Sequence, residues 1–220
     1  MSQETDSTSL LNEKQTDPSF LAGVLSDKQI KDLSLQKEMI YPFISESQRY
    51  DKNKKGVLSY GLSCGGYDVR AAPIFKIMKD DVNALPLDDV LDVKSSGIER
   101  YFRDTQCDTL DIPPRGFVLT HTIEKFNIPE DVMAVCYTKS TYARCGLSLA
   151  TTIIEPGQTG HIVLEIYNHT NYKIRFYANE GCAQFVFMKM STPPDVPYNR
   201  RHGGGGKYMG QEGIVLPHAK

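Results

Sequence analysis

HIVLEIYN, residues 161–168, alternates so regularly that Ile162, Leu164 and Ile166 fall on one face of an extended chain, and Val163, Glu165 and Tyr167 on the other. A period of two in a run rich in β-branched and aromatic residues predicts a strand with one face in a core. The same period recurs on either side. It is present in TLDIPPRGFVLTHTIEKFNIP (109–129), VMAVCYT (132–138), KIRFYANEG (173–181) and AQFVFMKM (183–190), each bounded by Pro, Gly or Asn. Short strands at this spacing predict a mainly β fold, a distorted barrel or jelly roll with a few short helices. IPPRG (112–116) and EPGQTG (155–160) read as turns, because proline presets φ and glycine supplies the conformations other residues avoid.

Upstream of residue 108 the signals differ. Ser26 opens a capping-box pattern, SDKQ, with Leu25 placed to staple against Ile30, which predicts a helix running to Glu38. Residues 44–56 read as a charged connection. LSYGLSCGGYDVRAA (58–72) reads as a loop feeding the apolar strand PIFKIM (73–78). Residues 1–19 are polar and aperiodic, so the expected organisation is a polar tail (1–19), one β domain (20–198) and a glycine-rich C-terminal flap (199–220).

Composition narrows the function. The 220 residues carry a formal net charge of -2 and a pI near 6.2, which gives no global positive field to hold a nucleic-acid backbone. No apolar run approaches the roughly 20 residues of a membrane span, and the N-terminal stretch lacks the pattern of a signal peptide. A soluble, cytoplasmic protein with neither nucleic acid nor membrane as partner is expected. Five cysteines, irregularly spaced and without a CxxC, fit a reducing compartment. The five histidines show no HxE or HExxH pattern, so no protein-held zinc is expected.

Three clusters could carry chemistry. KSTYARCG (139–146) gathers Lys139, Ser140, Thr141 and Arg144 where a buried strand ends. Cations, hydroxyls and freed backbone N–H groups there could wrap an oligophosphate, or form an ordinary solvated strand end. Glu165 interrupts an apolar strand, so its carboxylate either faces solvent or sits in a pocket with a shifted pKa. NRRHGGGGKYMGQEG (199–213) mixes Arg200, Arg201 and Lys207 with glycines, the composition of a phosphate-covering flap and also of a flexible linker.

In combination these runs form an ordered series. GYDVR (66–70), IPP (112–114), KSTYARCG, EPGQTGHIVLE (155–165), NEGCAQ (179–184) and KYMGQEG (207–213) closely resemble the deoxycytidine triphosphate (dCTP) deaminase family, over residues 26–216. The resemblance implies a dUTPase-like distorted β-barrel that forms a homotrimer with active sites between subunits. It implies hydrolysis of dCTP to dUTP and ammonia, with Glu165 as proton shuttle and Ser140 and Arg144 supporting the chemical step. Lys139, Ser140, Thr141, Tyr142, Ala143 and Arg144 inherit the triphosphate and base contacts. Val163 and Leu164 would flank the base, Gln184 would contact base or sugar, and Tyr198, Lys207 and Gln211 would close over sugar and phosphates. Mg²⁺ is expected to arrive on the triphosphate, and dTTP is a candidate feedback inhibitor.

Two departures from the family pattern stand out. RRHGGGGKY is lengthened, which bears on Lys207 and Gln211. LSLATTII (147–154) replaces a more polar stretch that recognises the exocyclic amine, which bears on cytosine specificity. Because the fold is shared with dUTP pyrophosphatases, Glu155 near the EPG turn supports an alternative: hydrolysis of dUTP to dUMP, alone or after deamination. A nucleotide-binding regulator without catalysis is a third reading, opposed by the joint presence of Ser140, Arg144 and Glu165.

Overall fold

The computed structural model describes residues 22–79 and 90–218, so the expected polar tail lies outside the described residues. The chain opens with β1 (Gly23–Val24), α1 (Asp27–Lys37), β2 (Ile40–Tyr41), β3 (Gln48–Tyr50), β4 (Gly56–Ser63), β5 (Gly66–Arg70) and β6 (Ile74–Met78). A 3₁₀ turn (Ile98–Tyr101) then leads into β7 (Phe102–Gln106), β8 (Thr109–Ile112), β9 (Phe117–Asn127) and β10 (Val132–Thr138). The last part holds α2 (Ser140–Ala143), β11 (Leu147–Leu149), β12 (Ile153–Ile154), β13 (Thr159–Asn168), β14 (Ile174–Tyr177), β15 (Gly181–Lys189) and a second 3₁₀ segment (Tyr198–Gly203).

Two antiparallel sheets face one another. One runs β12-β10-β15-β5-β4-β3 with β1 added to β15; the other runs β11-β13-β9-β6-β7 with β2 added to β9. A separate ribbon of β14 and β8 adds Leu110, Ile112 and Phe176 to the shared core. The alternation predicted for β13 is present: Ile162, Leu164 and Ile166 are buried, and Val163 and Glu165 are half-exposed. Ile162, Leu164 and Ile166 pack with Phe126, Phe176, Phe185 and Phe187 into one apolar cluster, in which Phe126 stacks on Phe185 with ring centres 4.9 Å apart. Burying one such side chain contributes about 1.5–3 kcal/mol, so the sandwich is held chiefly by this shared interior.

Local signals explain the smaller elements. Ser26 accepts from the Gln29 N–H while the Gln29 side chain accepts from the Ser26 N–H, the reciprocal cap the sequence predicts. α1 ends at Lys37, and Glu38 takes a left-handed conformation as its C-terminal cap. Asn168 is buried, and its amide donates to the carbonyls of Ile112, Pro113 and Tyr172, which ties the IPP turn to the end of β13.

Two expectations are corrected. Residues 58–72 are not a loop feeding a strand; β4 and β5 form a hairpin in the middle of the larger sheet. Gly66, Tyr67, Asp68 and Val69 are buried on both faces, so no alternation marks them as a strand. The charged connection also contains β3, which pairs with β4. None of the described helices is long and apolar enough to cross a membrane, and the five cysteines are unpaired.

Candidate active site

The sequence between β11 and β13 places the chemistry. β11 pairs with β13 in one sheet and β12 pairs with β10 in the other, so LSLATTII crosses from sheet to sheet. The crossing is pinned by the Ala150 N–H donating to the Glu165 carbonyl (2.9 Å) and the Cys136 N–H donating to the Thr152 carbonyl (2.9 Å). It leaves a cavity of about 680 Å³ along the seam. Thr151, Thr152, Gln158, Val163, Glu165 and Gln211 are among its lining residues. Ile98, Phe102, Phe117 and Leu119 give it an apolar wall, and Tyr167, packed on Phe117 at 4.6 Å between ring centres, extends that wall.

Glu165 projects from the polar face of β13 into this cavity. Burial pushes its carboxyl above the ordinary carboxylate range, offset in part by a backbone hydrogen bond. Among the described residues no cation is paired with it. Such a group gains and loses a proton more readily near neutral pH than a solvated glutamate does.

A strap from the C-terminal region roofs the cavity. Gly210 N–H donates to the Thr159 carbonyl (3.0 Å), and His161 N–H donates to the Gln211 carbonyl (2.8 Å), so the strap lies along the start of β13. Gly160 makes the approach possible: with φ at +103°, a Cβ there would meet Gln211 N at 2.4 Å. Gln211 is 8% exposed, and its amide oxygen has no partner among the described residues. Gln211 is among the cavity's lining residues, while this oxygen itself is shut off from solvent.

The glycine run is a built turn. Gly206 packs directly on the Tyr198 ring, where a Cβ would stand 2.1 Å from it. Gly206 N–H donates to the Tyr198 carbonyl (2.7 Å), and Tyr208 N–H donates to the Tyr198 hydroxyl (3.0 Å). Tyr198 N–H in turn donates to the Pro156 carbonyl (2.8 Å), and Arg200 pairs with Glu130 at 2.7 Å, which docks the segment on the EPG turn. Lys207 lies over the Tyr208 ring at 5.3 Å.

The residues singled out from the sequence divide into two groups. Glu165, Val163 and Gln211 meet in the cavity. Leu164 is 1% exposed and faces the core, so only its backbone is on the cavity side. None of residues 139–144 lines the cavity. Ser140, Thr141 and Ala143 are exposed on α2, as is Arg144 at its C-terminal cap. Tyr142 is buried, stacked on Phe176 at 4.9 Å, and its hydroxyl accepts from the Tyr177 N–H (2.9 Å). Lys139 pairs with Asp68 at 2.6 Å, and Gln184 donates to the Ser63 hydroxyl (3.3 Å). Sequence reasoning missed Thr151, Thr152, Gln158 and Tyr208 as lining residues. The two threonines lie within LSLATTII and Gln158 within EPGQTG, segments already singled out, and their polar side chains there are the signal that could have found them.

A two-sheet antiparallel distorted barrel with a desolvated carboxyl at its seam and a glycine-rich strap over it defines a class, the dUTPase-like β fold. One solved structure of this fold is the crystal structure of 2′-deoxycytidine 5′-triphosphate deaminase from Agrobacterium tumefaciens. It matches with a TM-score of 0.54 at 16% identity, over 76% of this chain and 48% of that one, so this chain spans about half its length. The sequence comparison is more specific. The family model described as dCTP deaminase-like matches residues 24–190. The protein named dCTP deaminase of Novosphingobium aromaticivorans is 45% identical over 195 residues, covering 89% of this chain and 98% of that protein. The one from Chromohalobacter salexigens is 44% identical over the same shares. The chain belongs to the dCTP deaminase-like family.

Proposed function

We propose that this chain hydrolyses dCTP to dUTP and ammonia, with Glu165 carrying protons between water, base and leaving group. The observation that carries the reading is the desolvated Glu165 carboxyl lining one cavity together with Gln211 of the glycine-rich strap. As a carboxylate, Glu165 takes a proton from water while the water oxygen bonds to C4 of the cytosine, the C4=N3 π pair moves onto N3, and N3 receives that proton. The remaining hydroxyl proton then passes through Glu165 to the exocyclic nitrogen as the C4=O bond forms, the C4–N bond breaks, and ammonia leaves. One water is consumed and no electrons change hands.

The polar segment 139–144 completes the site from a second copy of the chain. Within one chain it lies outside the cavity, and its exposed Ser140, Thr141 and Arg144 suit a surface that meets a neighbour's cavity mouth. In the homotrimer this implies, Lys139, Ser140, Thr141 and Arg144 hold the triphosphate, and Ser140 and Arg144 orient the water and stabilise developing charge. Mg²⁺ enters on the triphosphate, and no zinc takes part in the reading. Gln184, Tyr198 and Lys207 contribute sugar and phosphate contacts, and dTTP competes for the same site.

Incubation with dCTP and Mg²⁺ tests the proposal. Ammonia and dUTP in equal amounts are expected, and dCTP recovered unchanged would overturn it. Accumulation of dUMP and pyrophosphate would add a second hydrolysis, for which Glu155 in the EPG turn is the candidate.

A further inference from the structure

Lys139 stands apart from the rest of its segment. Its backbone is fixed at both ends: the N–H donates to the Cys182 carbonyl (3.1 Å), and the carbonyl accepts from Tyr142 N–H (3.0 Å) and Ala143 N–H (3.1 Å). Its side chain is only 11% exposed, as is that of Asp68, and the two are joined by the 2.6 Å ion pair. The pair spans a whole strand, because β10 and β5 lie on either side of β15. Arg144, by contrast, is exposed.

Asp68 is therefore placed to govern Lys139. Gln184 is the cross-strand neighbour of both Asp68 and Tyr137, so Asp68, Gln184 and Tyr137 form one row, and Lys139 lies two residues beyond Tyr137 on the same face. An ammonium has three N–H donors, and the carboxylate takes one. A largely buried ammonium without a counter-charge is costly and would swing toward water. The carboxylate thus keeps the ammonium in place.

We propose that Asp68 is a positioning residue for nucleotide binding, holding the Lys139 ammonium so that its two remaining N–H groups face the phosphate oxygens of the substrate. This rests on the reading of segment 139–144 as the phosphate-binding part of the site. Asp68 touches no substrate atom and acts only through Lys139.

Steady-state kinetics with dCTP on Asp68→Asn, Lys139→Met and the double variant tests it. Asp68→Asn is expected to raise KM about tenfold or more, the loss of one well-placed charged contact, with kcat changed by less than about threefold. In the Lys139→Met background, adding Asp68→Asn is expected to leave KM where it was, because the partner is already gone. An equal KM rise in both backgrounds would mean a general structural role and overturn the proposal. So would an unchanged KM in Asp68→Asn, or a loss confined to kcat. Should Asp68→Asn fail to fold, the double variant, which buries no unpaired ammonium, decides the matter: KM equal to that of Lys139→Met supports the proposal, and a higher one overturns it. Wild-type turnover of dCTP reports separately on the deaminase reading.

Discussion

Glu165 costs the fold something, and the cost has a definite pH signature. Its folded pKa is raised by burial, so the unfolded chain ionises first as pH increases. Below the ordinary glutamate value of about 4.3 the group is neutral in both states and makes no difference. Stability is then lost as pH rises through the folded pKa, and the deficit persists above it. Glu165→Gln should therefore match the wild type in acid and become the more stable of the two toward neutrality, as followed by denaturant unfolding across that range. A difference that does not change with pH would contradict this. The same variant keeps the shape of the site but not the proton transfer, so kcat is expected to fall by about 10²–10⁴-fold with nucleotide binding retained. Activity of the wild type should decline on the acid side at a pH above the usual carboxylate range, since the attacking step needs the ionised form.

Among the elements, β13 and the strap beside it carry the most information. Gly160→Ala is expected to unseat the strap, because the new methyl would meet backbone atoms of Gln211 at 2.4 and 2.7 Å and these cannot rotate aside. The barrel should remain folded, while KM for dCTP rises and the bonds after Gly206 become more open to limited proteolysis. Retention of wild-type KM and protease resistance would show that the close approach is dispensable. The strands with one buried face, β10, β13 and β15, were legible from alternation alone, and the cap of α1 from four residues. β5 was not, because a strand buried on both faces has no period to read, and β4, intermediate in burial along most of its length, shows no alternation either. β11 and β12 were hidden differently: three and two residues long, they are defined only by which sheet each joins.

At the scale of the whole molecule, the division of the site has a direct test. Glu165 and the segment 139–144 are both legible as functional types, a lone carboxylate in an apolar run and cations crowded at a strand end. What one sequence cannot show is that they fall in separate places within a chain, since that depends on how two sheets cross at the LSLATTII seam. If two copies complete each site, Glu165→Gln and Arg144→Ala, each inactive alone, should regain part of the activity when co-expressed, because a mixed assembly contains some sites with both groups intact. No recovery, with mixed assemblies shown to form, would return the complete site to a single chain. The strap has one more consequence. Beyond roofing the cavity it occupies backbone hydrogen-bonding groups of Thr159 and His161 that β9 does not reach. A chain cut short after Gly206 would leave this strand edge bare beside an apolar wall, a template onto which other chains can add strands. The C-terminal segment thus guards against aggregation, and its loss would appear first as insoluble protein.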